Sequence, residues 1–237
     1  QLTLSLFMIG LALGNLFVGP ISDSIGRKTP LIVAMALFTL ASIGIIFVDN
    51  IWLMIALRFV QGFCGGAGAV ISRAISSDLY TGKQLTKFLA LLMLVNGVAP
   101  VLAPALGGVI LSFSTWRMVF VILTIFGLLM LFGTIFNIKE SLSTEQRDSP
   151  HLVSIFKGFK QLLATPRFVL PMLIQGVTFV ILFSYISASP FIAQRIYDMS
   201  AQQFSLMFAS VGISLIVSSQ LTGKLVDYID RQVPAPF

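Results

Sequence analysis

Seven long apolar runs alternate with short polar stretches along this chain, over about residues 2–18, 29–48, 51–71, 85–112, 116–136, 168–189 and 202–222. Each comes close to the roughly 20 residues that an α-helix needs to cross a bilayer core. Within lipid every backbone N–H and C=O must find a partner inside the protein, so such runs can only be helices. The pattern predicts an all-α membrane protein with seven transmembrane helices. Trp52 and Trp116 stand at the ends of spans, where amphipathic rings settle at the headgroups. The longest polar stretch, 137–167, holds Lys139, Glu140, Glu145, Arg147, Asp148, Lys157, Lys160 and Arg167. It is the predicted central loop, between an N-terminal bundle at 1–136 and the start of a second bundle at 168–237.

Composition agrees with the pattern. Hydrophobic residues make up 57% of the chain and charged residues 10%, where a soluble domain carries roughly a quarter. The formal net charge of +6 does not point to nucleic acid, because the basic residues are spread over short loops instead of forming one patch. Cys64 is the single cysteine and lies in a span, so no internal disulfide is possible. His151 is the single histidine, which leaves no metal site to be built on histidine. The distribution of charge orients the chain. Twelve Lys and Arg residues fall on one side of the alternating spans, Arg117 and Arg195 fall on the other, and Arg58 lies within a span. The positive-inside rule places the twelve in the cytoplasm. Residues 2–18 have their positive charges after the apolar run, the reverse of a signal peptide, and so read as a genuine span.

One charged stretch recurs. Gly19, Asp23, Arg27 and Lys28 follow the first span as G-x-x-x-D-x-x-x-R-K, with Gly26 also in the turn. Gly223, Asp227 and Arg231 repeat the first three at one offset, since 223−19, 227−23 and 231−27 are each 204. Six spans separate the copies, so both copies have the same membrane orientation. Parallel repeats of this kind mark transporters built from two related halves. On that reading the chain is a fragment, with one span missing before Gln1 and four after Phe237.

Inside the spans Arg58 carries the most information. It sits six residues beyond Trp52, about 9 Å into the helix at 1.5 Å per residue. Arg58, Gln61, Gly62, Gly65, Ala69 and Ser72 share one helical face, and intramembrane charges usually face a cavity or a partner. An arginine snorkelling to the outer interface is the other reading. Gly97, Pro100, Pro104, Gly107 and Gly108 form one stripe on the fourth span and suggest a packed hinge. Gln175, Thr178, Tyr185 and Ser189 share a face of the sixth, with Phe179 and Phe183 close by. That mixture suits a pocket for amphipathic, aromatic molecules, and interhelical hydrogen bonding accounts for the polar residues equally well. The pairs Gly10/Gly14 and Gly62/Gly66 read as helix-packing sites.

With these residues in view, the chain resembles the major facilitator superfamily. Gly19 to Leu31 is similar to its signature loop, and Leu57 to Gly62 to the fourth-helix motif of proton-coupled members. Gly97 to Gly108 resembles the antiporter motif of the fifth helix, with Ala103 where a glycine usually precedes the proline. Tyr185-Ile186-Ser187-Ala188-Ser189-Pro190-Phe191 resembles the seventh helix of Bcr/CflA drug-resistance transporters. The resemblance implies a major facilitator fold with helices two to eight of twelve present. It implies a proton-driven exporter of drug-like molecules in the bacterial inner membrane, using alternating access and no cofactor, and monomeric at full length. Asp23 and Arg27 would latch the cytoplasmic side, Arg58, Gln61 and Gly62 would serve proton coupling and substrate, and the glycines and prolines from Gly97 to Gly108 would shape the interface between halves. One departure stands out. None of the nine acidic residues lies within a span, so a titrating carboxylate is expected on the missing first helix.

Other functions fit less well. A seven-span photoreceptor needs a lysine within a span, and all seven lysines lie in loops or at span ends. An intramembrane enzyme needs Asp, Glu or His at membrane depth. A facilitator for a sugar, amino acid or other metabolite is the remaining alternative.

Overall fold

The hydropathy pattern marks where hydrocarbon begins, and the helices continue past it. The computed structural model describes residues 2–143, 145, 147, 160–200, 202–211, 213, 214, 217 and 221, and gives the backbone alone at 98, 100, 101, 104 and 105. Helix α1 spans Leu2–Ile25, α2 Lys28–Phe47, α3 Ile51–Leu79, α4 Gly82–Phe113, α5 Trp116–Asn137 and α6 Pro166–Phe191, with a π-helical turn at Ile192–Ile196. Residues 202–211 are helical again. Among the described residues, five helices are long and apolar enough to cross a membrane: α1, α2, α3, α5 and α6 with its π turn. α4 has 32 residues. The repeat residues Gly223, Asp227 and Arg231 lie outside the described residues, as do 144, 146 and 148–159 of the 137–167 loop.

Two expectations are corrected. Residues 19–25 are not a loop: α1 carries Pro20 inside it and runs to Ile25, leaving only Gly26 and Arg27 before α2. Likewise α3 continues eight residues beyond the apolar run, from 71 to Leu79. Polar residues can stay helical once the rod has left the hydrocarbon, because the helix satisfies its own backbone. Periodicity in hydropathy cannot see that extension.

The chain forms two compact units. One comprises Gln1–Leu89 and Trp116–Ala188, the other Ala90–Thr115 and Ser189–Phe237. In the first, α1 packs along α3, and α2 packs on α3 and α5. The α1–α3 contact is made by backbone. A Cβ at Gly10 would lie 2.2 Å from the Phe59 carbonyl oxygen, and one at Gly14 would lie 2.1 Å from that of Phe63. From the other helix, a Cβ at Gly62 would lie 2.0 Å from the Phe7 oxygen and one at Gly66 2.3 Å from that of Leu11. The two G-x-x-x-G pairs are therefore packing sites, as their spacing suggested, and they face each other. Gly127 on α5 admits α2 in the same way, where a Cβ would meet the Thr39 hydroxyl at 2.6 Å. Val18, Leu31, Ala34, Cys64, Ala67 and Ile71 fill the core between α1, α2 and α3.

Candidate functional site

The first cluster forms where α1 gives way to α2. Gly26 has φ +102°, a conformation that L side chains rarely adopt, and a Cβ there would strike the Glu140 carboxylate at 2.5 Å. Gly26 makes the turn; Gly19, inside α1, has only Val70 Cγ2 at 3.5 Å from a would-be Cβ and serves no turn. Arg27 then points back over the end of α1, with 8% of its side chain exposed. One guanidinium nitrogen donates to Asp23 and, at 2.7 Å, to Ser22 Oγ, while Nε donates to Asp78 Oδ2 at 3.1 Å. Asp78 also accepts from Ser141 Oγ at 2.8 Å. Burial opposes the charge on Arg27, but hydrogen bonds and attraction from Asp23 and Asp78 outweigh it and raise its pKa above the usual value.

Glu140, from the segment after α5, completes the cluster. Its oxygens accept the backbone N–H of Arg27 at 2.8 Å and of Lys28 at 3.2 Å, and its own chain's Leu142 N–H at 3.2 Å. The first amides of any helix lack intrahelical partners, so a carboxylate there meets both donors and the positive end of the dipole. Lys28 Nζ donates to the Ile135 carbonyl at 2.9 Å, a second tie between the same segments. Partial burial tends to raise the Glu140 pKa, but the N–H bonds from Arg27, Leu142 and Lys28 and the charge on Arg147 bring it below the usual carboxylate value. A carboxylate with a depressed folded pKa adds stability that is present above its unfolded pKa and lost as pH falls through the folded one. Glu140→Gln should therefore lower stability near neutral pH by about 0.5–1 kcal/mol, a solvent-screened helix cap. The deficit should shrink as pH drops below ~4. Equal melting of both proteins at pH 7 would leave Glu140 without this role.

The second cluster surrounds Arg58. Its Nη1 donates to Gln61 Oε1 at 3.1 Å, Gln61 Nε2 donates to Ser42 Oγ at 2.7 Å, and Ser42 Oγ donates to the Phe38 carbonyl at 2.8 Å. Gln61 and Ser42 are fully buried. The guanidinium also lies over the Phe7 ring at 4.7 Å and the Phe120 ring at 5.6 Å. Side chains from α1, α2, α3 and α5 thus hold one cation inside the first unit. This arrangement favours the partnered reading of Arg58 over an arginine snorkelling to the interface. Gly62, one residue from Gln61, is a packing residue against α1.

The remaining predicted residues are placed but not gathered. Gly97 on α4 is exposed, Gly107 half-buried and Gly108 buried, and a Cβ at Gly97 or Gly107 would meet no described atom within 4 Å. The helix runs unbroken through Pro100 and Pro104. On α6, Gln175, Thr178 and Phe179 are exposed, and the Thr178 hydroxyl donates to its own helix at the Ile174 carbonyl, 2.9 Å away. The Phe179 and Phe183 rings stack at 6.0 Å. Tyr185 is 40% exposed, and buried Ser189 belongs to the second unit. An apolar cavity of about 220 Å³ opens elsewhere, between α1, α2 and α3, lined by residues that include Val18, Ile21, Val33, Phe63 and Cys64.

Sequence reasoning did not single out Asp78, Glu140, Ser42, Phe7 or Phe120. Counting spans puts Asp78 and Glu140 on the same membrane side as Arg27, which was the available signal. Nothing in one dimension pairs them.

Helices of membrane-spanning length packed through glycines, with one arginine anchored among four of them, describe a polytopic helical membrane protein. The sequence model of the Major Facilitator Superfamily matches residues 1–237. The chain is 39% identical over 226 residues to the uncharacterized MFS-type transporter YdgK of Bacillus subtilis, covering 94% of this chain and 56% of that protein. It is 32% identical over 232 residues to the bicyclomycin resistance protein homolog of Haemophilus influenzae, covering 98% and 58%. It is 27% identical to the multidrug resistance protein MdtM of Salmonella typhimurium, covering 98% and 57%. Its fold is similar to that of the human organic anion transporter MFSD10, with a TM-score of 0.65 at 18% identity over 90% of this chain and 53% of the other. The chain belongs to the major facilitator superfamily, a family of transporters and not of enzymes. It spans about half the length of the curated relatives it matches.

Proposed function

We propose that the whole protein exports amphipathic or aromatic drug-like molecules across the bacterial inner membrane in exchange for protons, by alternating access. The observation that carries this reading is Arg58, a membrane-embedded charge held by Gln61 and two aromatic rings, in a chain whose relatives include proteins named for multidrug and bicyclomycin resistance. Those partners are neutral, and no carboxylate lies in an apolar run of this chain. The positive charge of Arg58 is thus left to attract a proton-carrying carboxylate or a substrate elsewhere in the whole protein. The proton gradient is the energy source and no cofactor takes part. Asp23 and Arg27 act as the cytoplasmic latch, the Gly97–Gly108 stripe as the contact between halves, and the Gln175–Ser189 face of α6 as part of the substrate wall. The whole protein works as a monomer, with 1–136 and 168–237 belonging to different halves joined by 137–167.

The test is efflux by full-length protein in everted membrane vesicles, with ethidium and bicyclomycin as substrates. Acidifying the lumen should drive uptake of at least one of them, and a protonophore should abolish it. Uptake that survives the protonophore would remove the coupling, and transport of neither would remove the drug class. Orientation is checked in the same strain. An impermeant thiol reagent added to intact cells should label cysteines placed at Ser114 and Asp198 but not at Ser143, and labelling at 143 would reverse the assignment.

A further inference from the structure

We propose that Ser42 is a positioning residue for Arg58, acting through Gln61. The assignment rests on the reading of Arg58 as a transport residue given above. The argument lies in the direction of each hydrogen bond. A guanidinium only donates, so Gln61 must turn its carbonyl oxygen toward Arg58. That choice points the Gln61 amide NH₂ away, into a fully buried position between α2 and α3, where it needs an acceptor. Ser42 Oγ is that acceptor, and it can be one because its own proton is committed to the Phe38 carbonyl, one turn back along α2. The relay has a single sense: a backbone carbonyl fixes a hydroxyl, the hydroxyl fixes an amide, and the amide fixes the guanidinium. Phe7 and Phe120 confine the same guanidinium by their faces but carry no directional information for its N–H groups.

Remove the Ser42 oxygen and the amide loses the partner that sets its orientation. Turned over, it would present NH₂ to a guanidinium, donor against donor, and Arg58 would lose its one side-chain acceptor among the described residues. Threonine at 42 keeps the oxygen and the relay; cysteine keeps the volume but offers a weak acceptor.

The experiment reads Arg58 directly. Full-length protein, purified in detergent, is treated with phenylglyoxal, an arginine-selective dicarbonyl, and the rate of adduct formation on the Arg58 peptide is followed by mass spectrometry. Ser42→Ala should speed modification by about tenfold, which corresponds to about 1.4 kcal/mol of lost anchoring. Ser42→Thr should match the wild type. In a Gln61→Ala background, where the relay is already broken, Ser42→Ala should add nothing, an outcome that a merely packing role for Ser42 would not produce. If Ser42→Ala does not fold, Ser42→Cys carries the same test at near-native volume. An unchanged Arg58 rate in the folded variant, or equal acceleration with and without Gln61, overturns the proposal. Proton-driven ethidium uptake is measured on the same proteins, with a fall of about tenfold expected for Ser42→Ala and none for Ser42→Thr. Should Arg58→Ala itself transport at the wild-type rate, the transport reading fails while the phenylglyoxal arm still reports on the relay.

Discussion

Replacing Arg58 by alanine in the full-length protein should abolish proton-driven efflux while the protein still inserts and folds. The size of the effect follows from what is lost. A hydrogen bond to a charged group is worth about 1.5–3 kcal/mol, or roughly 10- to 100-fold in a rate that depends on it. Alanine removes that bond to Gln61, both ring contacts and the fixed charge. Insertion should survive, since a charge within the membrane opposes insertion and its removal does not. Arg58→Lys should recover only part of the activity. An ammonium on a flexible stem can reach Gln61 or lie between the rings, but it lacks the planar fork that does both in one pose. Drug resistance and vesicle uptake equal to wild type for Arg58→Ala, at matched expression, would return Arg58 to the role of an interfacial anchor.

The second large effect is expected at Gly62, and it is structural. A Cβ there would sit 2.0 Å from the Phe7 carbonyl oxygen, a contact with backbone that no side-chain rotation relieves. The helices would have to part by more than an ångström, opening the facing contacts at Gly10, Gly14 and Gly66 as well. Overpacking costs about 1–3 kcal/mol where neighbours can yield, and here the neighbour is a helix axis. Gly62→Ala should therefore lower the melting temperature of the purified protein sharply, and Gly62→Val should leave little folded protein to purify. Gly65 supplies the control on the same helix. A Cβ there would meet only Leu11 Cδ1 at 3.9 Å, ordinary contact, so Gly65→Ala should melt within a few degrees of wild type. Similar melting for Gly62→Ala and Gly65→Ala would mean that α1 and α3 do not approach as closely as described.

How far each feature could be read from one dimension depends on its range. The G-x-x-x-G pairs were legible as packing sites because small residues four apart lie on one helical face, and close helix approach in lipid needs such a face. That Gly10 and Gly14 face Gly62 and Gly66 was not legible, because spacing gives a face and not its partner. The Asp23–Arg27 pair was legible at one helical turn, but its setting is the end of α1 and not a loop. Hydropathy ends at the hydrocarbon boundary while α1 continues to Ile25, so a helix end looks like a loop in the sequence, and the turn belongs to Gly26 and not to Gly19.

The class of this protein, its approximate spans and the presence of a charge, Arg58, within one of them can be read from the residues alone. These follow from transfer free energies, which act residue by residue: apolar runs of bilayer length must be helices, and a charge within one needs a reason. Which side chains meet depends on how the helices pack. Asp78 and Glu140 converge on Arg27 across 51 and 113 residues of chain, and Ser42 reaches Gln61 across 19. Hydrogen bonds are short-ranged and directional, so their partners are set by how the helices pack and not by distance along the chain.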